Sequence, residues 1–257
     1  MPITSEGVPY TISEHGLPVG LAMPPGWSPR PTPTPEAING HICRLEAWDP
    51  SKHSQQLFES LHTGSVADQE RRWTYLPEGP FTNAERLSQS ISARAKSMHV
   101  MVVIPKFTET AQGTASFARV DQNSGTVEVS WVTLSPSLAG TAAATETFYL
   151  MLEHAFGLGY RRVEWKTDSL NAPSRRAALR LGFRFDGLWR KAVVYRGRSR
   201  DTAWYGMSDD EWQGGVRDAI AAWLDDANFD VNGQQKTRLA DVMSHVRTKL
   251  DGLAEAN

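Results

Sequence analysis

The 257-residue chain predicts an α/β (α+β) fold: a mixed, mostly antiparallel twisted sheet flanked by helices on both faces, preceded by an N-terminal proline-rich arm. Three observations predict it. Strand-like and helical runs follow one another as strand, two helices, three strands, helix, strand, helix, strands, an order that a sheet covered on both faces accommodates. Hydrophobic residues make up 40% and charged residues 22%, the balance of a globular chain able to bury a core. No apolar run approaches the roughly 20 residues that cross a bilayer as a helix.

Residues 1–39 read as an arm. Prolines crowd residues 23–36, where each removes a backbone donor and favours an extended polyproline path. The expected use is a strap laid across its own domain, with a ligand for a proline-reading module as the alternative. Residues 40–225 form the domain and residues 226–257 a polar tail with room for one more helix. Residues 41–48 alternate as a first strand, and residues 49–62 follow as a helix. Thr82, Asn83, Ala84 and Glu85 have capping-box spacing and open a helix to about residue 97. Residues 98–105 are a buried strand, 114–120 its neighbour, and 126–134 a third strand after the turn at 121–125. A loop of small residues, 137–145, leads into a helix whose Phe148, Met151, Leu152, Ala155 and Phe156 share one face. Gly159 ends it. Residues 161–167 form a strand and 173–181 a helix closed by Gly182, followed by short strands at 183–186, 191–195 and 202–206. Ser208 and Glu211 form a second capping box, starting a helix to about residue 224.

A formal net charge of −2 excludes a protein whose main task is to hold nucleic acid. The balance hides an asymmetry. Residues 161–200 carry 12 basic and 3 acidic side chains, against 10 and 15 before them and 5 and 11 after, so one short stretch holds nearly half the cations. That density suits the phosphates of a nucleotide, or else forms a solvated face offset by the acidic tail. One cysteine, Cys43, excludes a disulfide framework and reads as a small buried hydrophobe. The histidines show no metal spacing, and His154 falls off its helix's apolar stripe. The first residues show neither a basic nor an apolar leader segment, so a cytoplasmic setting without membrane contact is expected.

Chemistry concentrates where the strand ending at Leu134 turns into the next helix. A helix N-terminus offers unpaired N–H groups and a partial positive charge, and Gly140, Ala142, Ala143 and Ala144 keep the turn free of bulk. An anion fits there; so does an ordinary tight connection. One strand later, Asn171 and Ser174 open a helix, either as cap and first-turn residue or as ligand groups. Asp168 reads as a strand-end turn residue.

Taken together these segments resemble the GNAT acetyltransferase superfamily, in its RimJ/RimL-like branch. The resemblance rests on Glu128-Val129-Ser130-Trp131, Ala144-Thr145-Glu146, Gly159-Tyr160-Arg161-Arg162-Val163, the Asn171/Ser174 pair and Leu181-Gly182-Phe183, in the family's order and spacing. The segment from Trp73 to Phe81 is similar to a subgroup of that branch. One departure stands out: the family's phosphate loop starts with a long polar residue, and Ser137 occupies that place before Leu138, Ala139, Gly140, Thr141 and Ala142.

The resemblance implies a GNAT-like N-acetyltransferase using acetyl-CoA as donor and the primary amine of a small molecule as acceptor. Protein N-terminal acetylation and a non-catalytic acyl-CoA sensor are the alternatives, the chain being a monomer or homodimer. It implies cofactor contacts from the main chain of Val132, Thr133 and Leu134, from Ala139, Gly140, Thr141, Ala142 and Ala143, and from Asn171 and Ser174. An amide near Leu134 would polarise the thioester carbonyl. Glu128 is the expected base, acting through a water. Ser174 is the expected acid, with Tyr195 as its rival. Trp73, Tyr75, Phe81 and Trp131 would line the acceptor pocket.

Overall fold

The computed structural model describes residues 2–4 and 7–255, with side chains through Gly252. The arm begins with an exposed two-stranded hairpin, β1 (Thr11–Ile12) and β2 (Pro18–Val19). It then runs along the domain. Lacking ladder donors at its prolines, it is held through carbonyls and side chains instead. The Tyr160 hydroxyl donates to Pro31 O at 2.9 Å, the Trp27 indole donates to Asn123 O at 3.1 Å, and His99 Nε2 meets Pro35 O at 2.8 Å. The stretch ends in β3 (Ala37–Asn39), an edge strand of the main sheet.

That sheet continues with β4 (Cys43–Ala47), β5 (His99–Pro105), β6 (Gly113–Asp121), β7 (Thr126–Leu134) and β8 (Arg162–Asp168). Its far side is formed by β9 (Arg184–Tyr195) at the edge and β10 (Arg198–Ser208) between β9 and β8. Every neighbouring pair is antiparallel except β7 with β8. Helices α1 (Pro50–Leu61), α2 (Val66–Trp73) and α3 (Ala84–Arg94) cover one face. Helices α4 (Ala142–Gly157), α5 (Ala172–Arg180), α6 (Asp209–Glu211), α7 (Arg217–Leu224) and α8 (Leu239–Glu255) belong to the other side. Strand β5 shows why the sheet is sandwiched. Met101 and Val103 pack into the α4 core, while Val100, Val102 and Ile104 pack with Leu57, Leu61, Leu87 and Ile91. A strand buried on both faces reads as an unbroken apolar run.

The sequence-based expectations differ from this fold in several places. Helix α2 was not foreseen; it is short and polar, and a Ser65/Asp68 capping box starts it. Helix α3 is capped by Asn83, whose side chain accepts from the Arg86 amide, and not by a Thr82 box. The strands expected at 183–186 and 191–195 are one strand, β9, whose alternation is interrupted by a bulge where Lys191 has φ +52°. The helix starting at Ser208 is broken by a widened turn at Trp212–Val216, where Gly215 has φ 140°. A glycine pair in mid-helix is a common cause of such a break.

The tail is the larger surprise. Helix α8 buries Leu239 and Met243 in the α4 core, and Val242, Val246 and Leu250 pack beside them. The Arg247 guanidinium donates to Gly182 O, fixing the helix beside the end of α5.

Candidate active site

Strands β7 and β8 pair only from Thr126–Glu128 against Arg162–Glu164 and then part. Opposite β6, Thr114 faces Thr133 and Ser116 faces Ser130, so β7 carries an extra residue there. Trp131, in that bulge, has φ +50°. A bulge bends its strand and increases its twist, and β7 accordingly diverges from its parallel neighbour. The main chain of β7 beyond Glu128 thus has no strand partner on its β8 side.

A groove of about 940 Å³ runs from this split between α4, α5 and α8. Of the residues expected to hold a cofactor, Val132, Leu134, Ala139, Gly140, Asn171 and Ser174 line it. Thr133, Thr141, Ala142 and Ala143 are absent from its walls. Thr141 is the cap of α4 and accepts from the Ala144 amide at 3.2 Å, and Ala143 is buried in the core. The amides of Gly140, Ala142 and Ala143 have no acceptor among the described residues, so the helix mouth keeps its donors. Leu138, fully buried, anchors the loop, and Gly140 at φ +82° makes the turn that a side chain would strain. Ser137, in place of the long polar residue, joins Ser135 in a hydroxyl cluster around Gln112 Oε1.

Part of the cationic stretch is spent on internal contacts. Arg162 binds Glu164 and Asp186, Arg184 binds Glu211 and Asp251, and Arg175 donates to the Tyr205 hydroxyl. Arg176 and Arg180 reach the groove, joined by Arg247 from the tail. Arg180 has no carboxylate partner among the described residues; it donates to Thr145 Oγ1 at 3.1 Å, and burial pushes its pKa down. A desolvated, unpaired cation of this kind gains most from a bound anion. The groove's donor set therefore fits a diphosphate with a further phosphate nearby.

A second cavity, about 410 Å³, opens from the same split. It shares Val132, Trp165, Asn171 and Ser174 with the groove. Tyr75, Leu76 and Pro77 close over it, held by the Tyr75 hydroxyl on Leu170 O at 3.0 Å and by Arg196 on Pro77 O and Gly79 O. Tyr75 and Trp131 line it, as expected. Trp73 and Phe81 do not: they pack against each other, ring centroids 5.2 Å apart, in the core under α1 and α3. Aromatics on a short apolar segment read alike whether they face a pocket or a core, and here tertiary packing divides them.

The expected base is sealed. Glu128 is 1% exposed and does not line the cavity; its Oε2 lies 3.1 Å from Lys166 Nζ and 3.6 Å from Arg119 Nε. Those two cations line the cavity floor in its stead. Asp168, read from sequence as a turn residue, keeps that role and also borders the cavity. Its Oδ1 accepts from the Leu170 amide at 2.9 Å, and the residue, 6% exposed, is part of the cavity wall. Tyr195 is absent from the lining and donates its hydroxyl to Asp168 Oδ2 at 2.8 Å; burial, with that hydrogen bond, pushes its pKa up to about 12. Ser174 sits where cavity and groove meet, its Oγ accepting the Trp165 indole N–H at 3.1 Å. A hydroxyl that accepts from an indole keeps its own proton to donate. Asn171 caps α5 by accepting from the Ser174 amide, and its side chain also borders both spaces.

Cys43 is fully buried, and burial raises its thiol to about 12, so it is no nucleophile. His154 lies against Phe117 at 5.8 Å, and burial lowers its pKa. No group of residues able to hold a metal occurs among the described residues, and none of their helices is long and apolar enough to cross a membrane.

Comparison with known proteins places the fold in a family. Residues 44–184, more than half of the chain, match the acetyltransferase (GNAT) domain family. A GCN5-related N-acetyltransferase from Brucella melitensis is 37% identical; the alignment covers 85% of this chain and 99% of that one, with a TM-score of 0.80. A GNAT-family protein from Chromobacterium violaceum, described as a probable acetyltransferase, is 35% identical over 77% of this chain and 99% of its own, with a TM-score of 0.69. Among curated sequences, the uncharacterized N-acetyltransferase p20 of Bacillus licheniformis is 24% identical over 147 residues, 54% of this chain and 82% of that protein.

Proposed function

Because the chain belongs to the GNAT acetyltransferase family, we propose that it transfers the acetyl group of acetyl-CoA to the primary amine of a small molecule. One observation carries the reading: the phosphate-fitting groove and the roofed cavity meet at Val132, Trp165, Asn171 and Ser174. A donor laid along the first and an acceptor held in the second would come together only there. The cavity's size, and the loop closing it at Tyr75–Pro77, suit a small acceptor better than a protein chain.

When bound, acetyl-CoA supplies a thioester whose carbonyl carbon forms the new bond to nitrogen as its bond to sulfur breaks. The groove would receive it at the mouth of α4, where Gly140 lines the wall and the unpaired amides of Ala142 and Ala143 lie just behind, with Arg176, Arg180 and Arg247 alongside. The main chain at Val132, next to the bulge, is the part of β7 that borders both spaces, and its amide is better placed than that of Leu134 to polarise the carbonyl. A primary ammonium must lose one proton to become a nucleophile. In this reading Asp168 takes it, directly or through one water, because Asp168 and not Glu128 meets the cavity. Ser174 Oγ would give one proton to the leaving sulfur and recover one from the nitrogen, whose second proton is released as the amide forms, so the hydroxyl ends as it began. Tyr195, whose proton is committed to Asp168, positions that carboxylate.

The test is release of CoA, followed by a thiol reagent, with small amines and N-terminal peptides offered in parallel. Amine-dependent release is expected. Absence of acetyl-CoA binding at millimolar concentration overturns the reading, and turnover of peptides alone moves the chain to protein N-terminal acetylation. A companion variant addresses the groove. Ala142→Glu places a negative charge at the mouth of α4 and is expected to weaken acetyl-CoA binding, measured by calorimetry, about tenfold or more. Unchanged affinity would show that the helix mouth does not hold the phosphates.

A further inference from the structure

Strand β10 presents its side chains alternately to the two faces of the sheet. Ala203, Tyr205 and Met207 enter the α4 core. Arg200, Thr202 and Trp204, at every second position between, line the acceptor cavity. Each of the three carries a buried donor with no partner among the described residues: Arg200 Nε, Thr202 Oγ1 and Trp204 Nε1. Thr202 is 3% exposed and Trp204 8%. Buried polar groups are nearly always satisfied, so three unpaired donors in one row, on residues that all line one cavity, mark that wall as one a ligand rich in acceptors would complete by drawing them out.

Charge gives the sign of that ligand. The cavity is lined by Arg119, Lys166 and Arg200 and by one carboxylate, Asp168. Glu128 lies beneath the floor and pairs with Arg119 and Lys166. Arg200 makes no ion pair with any described residue; its guanidinium stands 5.8 Å over the Tyr195 ring. The excess is therefore one cation, located at Arg200. The indoles of Trp189 and Trp204, ring centroids 4.8 Å apart, and of Trp131 supply apolar walls.

We propose that the acceptor is an amine that also carries a carboxylate, in the manner of an amino acid, with its acid group seated on Arg200 and Thr202. The inference rests on the acetyltransferase reading and narrows it. Asp168 lies directly across from Thr202 in the β8–β10 register, so one cavity offers a carboxylate to the ammonium end and a guanidinium to the acid end. Guanidinium and carboxylate pair through two parallel hydrogen bonds, which fixes orientation as well as charge. The indole walls cover the carbon body between them.

The experiment compares matched pairs of amines at saturating acetyl-CoA: phenylalanine with phenethylamine, and methionine with the amine left when its carboxylate is removed. The acid member of each pair is expected to show a kcat/KM at least tenfold higher. In Arg200→Met that ratio collapses towards one, chiefly through a rise in KM for the acid member. Arg200→Lys retains part of it, and Thr202→Val lowers it about threefold. A melting curve for each variant confirms that it is folded. Equal or better turnover of the neutral members by the wild type overturns the inference while leaving the acetyltransferase reading intact, as does an Arg200→Met variant that lowers both members alike. Turnover of no amine at all, with acetyl-CoA bound, removes that reading and this inference with it.

Discussion

Changing Asp168 to Asn lowers kcat/KM for a primary alkylamine at pH 7 by roughly 100-fold or more, the usual contribution of a positioned general base. The substitution keeps the shape of the side chain. Its oxygen still accepts from the Leu170 amide, and the Tyr195 hydroxyl turns to accept from the new amide N–H. Only the capacity to take a proton is lost. An alkylammonium with a pKa near about 10 is neutral in roughly one molecule per thousand at pH 7, so the wild-type enzyme gains most there. As pH rises towards about 9.5 the amine sheds its own proton, and the variant's deficit shrinks. Tyr195 does not confuse the profile, since a hydroxyl raised to about 12 stays protonated throughout that range.

Glu128→Gln provides the contrast. Sealed under the floor, Glu128 neutralises Lys166 and Arg119, and its loss is expected to change kcat/KM less than tenfold with no recovery at high pH. A larger, pH-dependent loss in Glu128→Gln than in Asp168→Asn would return the base to Glu128. Rate profiles of both variants from pH 6 to 9.5 decide between them.

Asp168 shows what the sequence could and could not reveal. Its turn role was legible because a carboxylate two residues before an amide is a local pattern. Its place in the cavity was not, because that depends on where β8 parts from β7. The parting itself depends on a bulge at Trp131 that no periodicity announces. Local signals served well elsewhere: Asp49, Asn171 and Ser208 cap the helices expected to start beside them. The cationic stretch misled in detail. Charge density along the chain says nothing of placement: Arg162 and Arg184 meet carboxylates of the same domain, and only Arg176 and Arg180 of its arginines reach the groove. The groove wall from α8 had a visible signal. Leu239, Val242, Met243, Val246 and Leu250 stand at helical spacing, but a polar composition obscured the stripe. The donors of β10 had none, since a row of Arg, Thr and Trp at alternate positions also fits an exposed strand.

Replacing Glu146 with Ala is expected to destabilise the protein by about 3 kcal/mol, the largest effect of any single change in α4 outside its apolar face. This residue, part of the Ala144-Thr145-Glu146 motif, does not touch the groove. Its carboxylate, 4% exposed, accepts from three consecutive amides, His41 at 2.7 Å, Ile42 at 2.8 Å and Cys43 at 2.6 Å. Successive N–H groups turned to one side make an anion-binding nest, and here the anion is the protein's own. Water can replace Glu146 at the exposed His41 amide, but the Cys43 amide lies in the core and would be left unpaired. Glu146→Gln removes the charge and turns an N–H towards donors, so it should cost about half as much. For a chain of this size a 3 kcal/mol loss lowers Tm by roughly 6–12 °C. Gly40, in the turn between β3 and β4, tests the same tie from its other side. A Cβ there would lie 2.5 Å from Glu146 Oε2, so Gly40→Ala pushes the carboxylate out of its nest. Because both changes act on one contact, the double variant should melt close to Glu146→Ala alone, not at the sum of the two shifts. The consequence reaches the groove: Glu146 sits one turn inside α4 and fixes the helix whose mouth offers the phosphate-fitting amides. Acetyl-CoA affinity should therefore fall in Glu146→Ala even at temperatures where it is fully folded. Additive melting shifts, or unaltered affinity, would mean that the nest and the helix mouth are energetically separate.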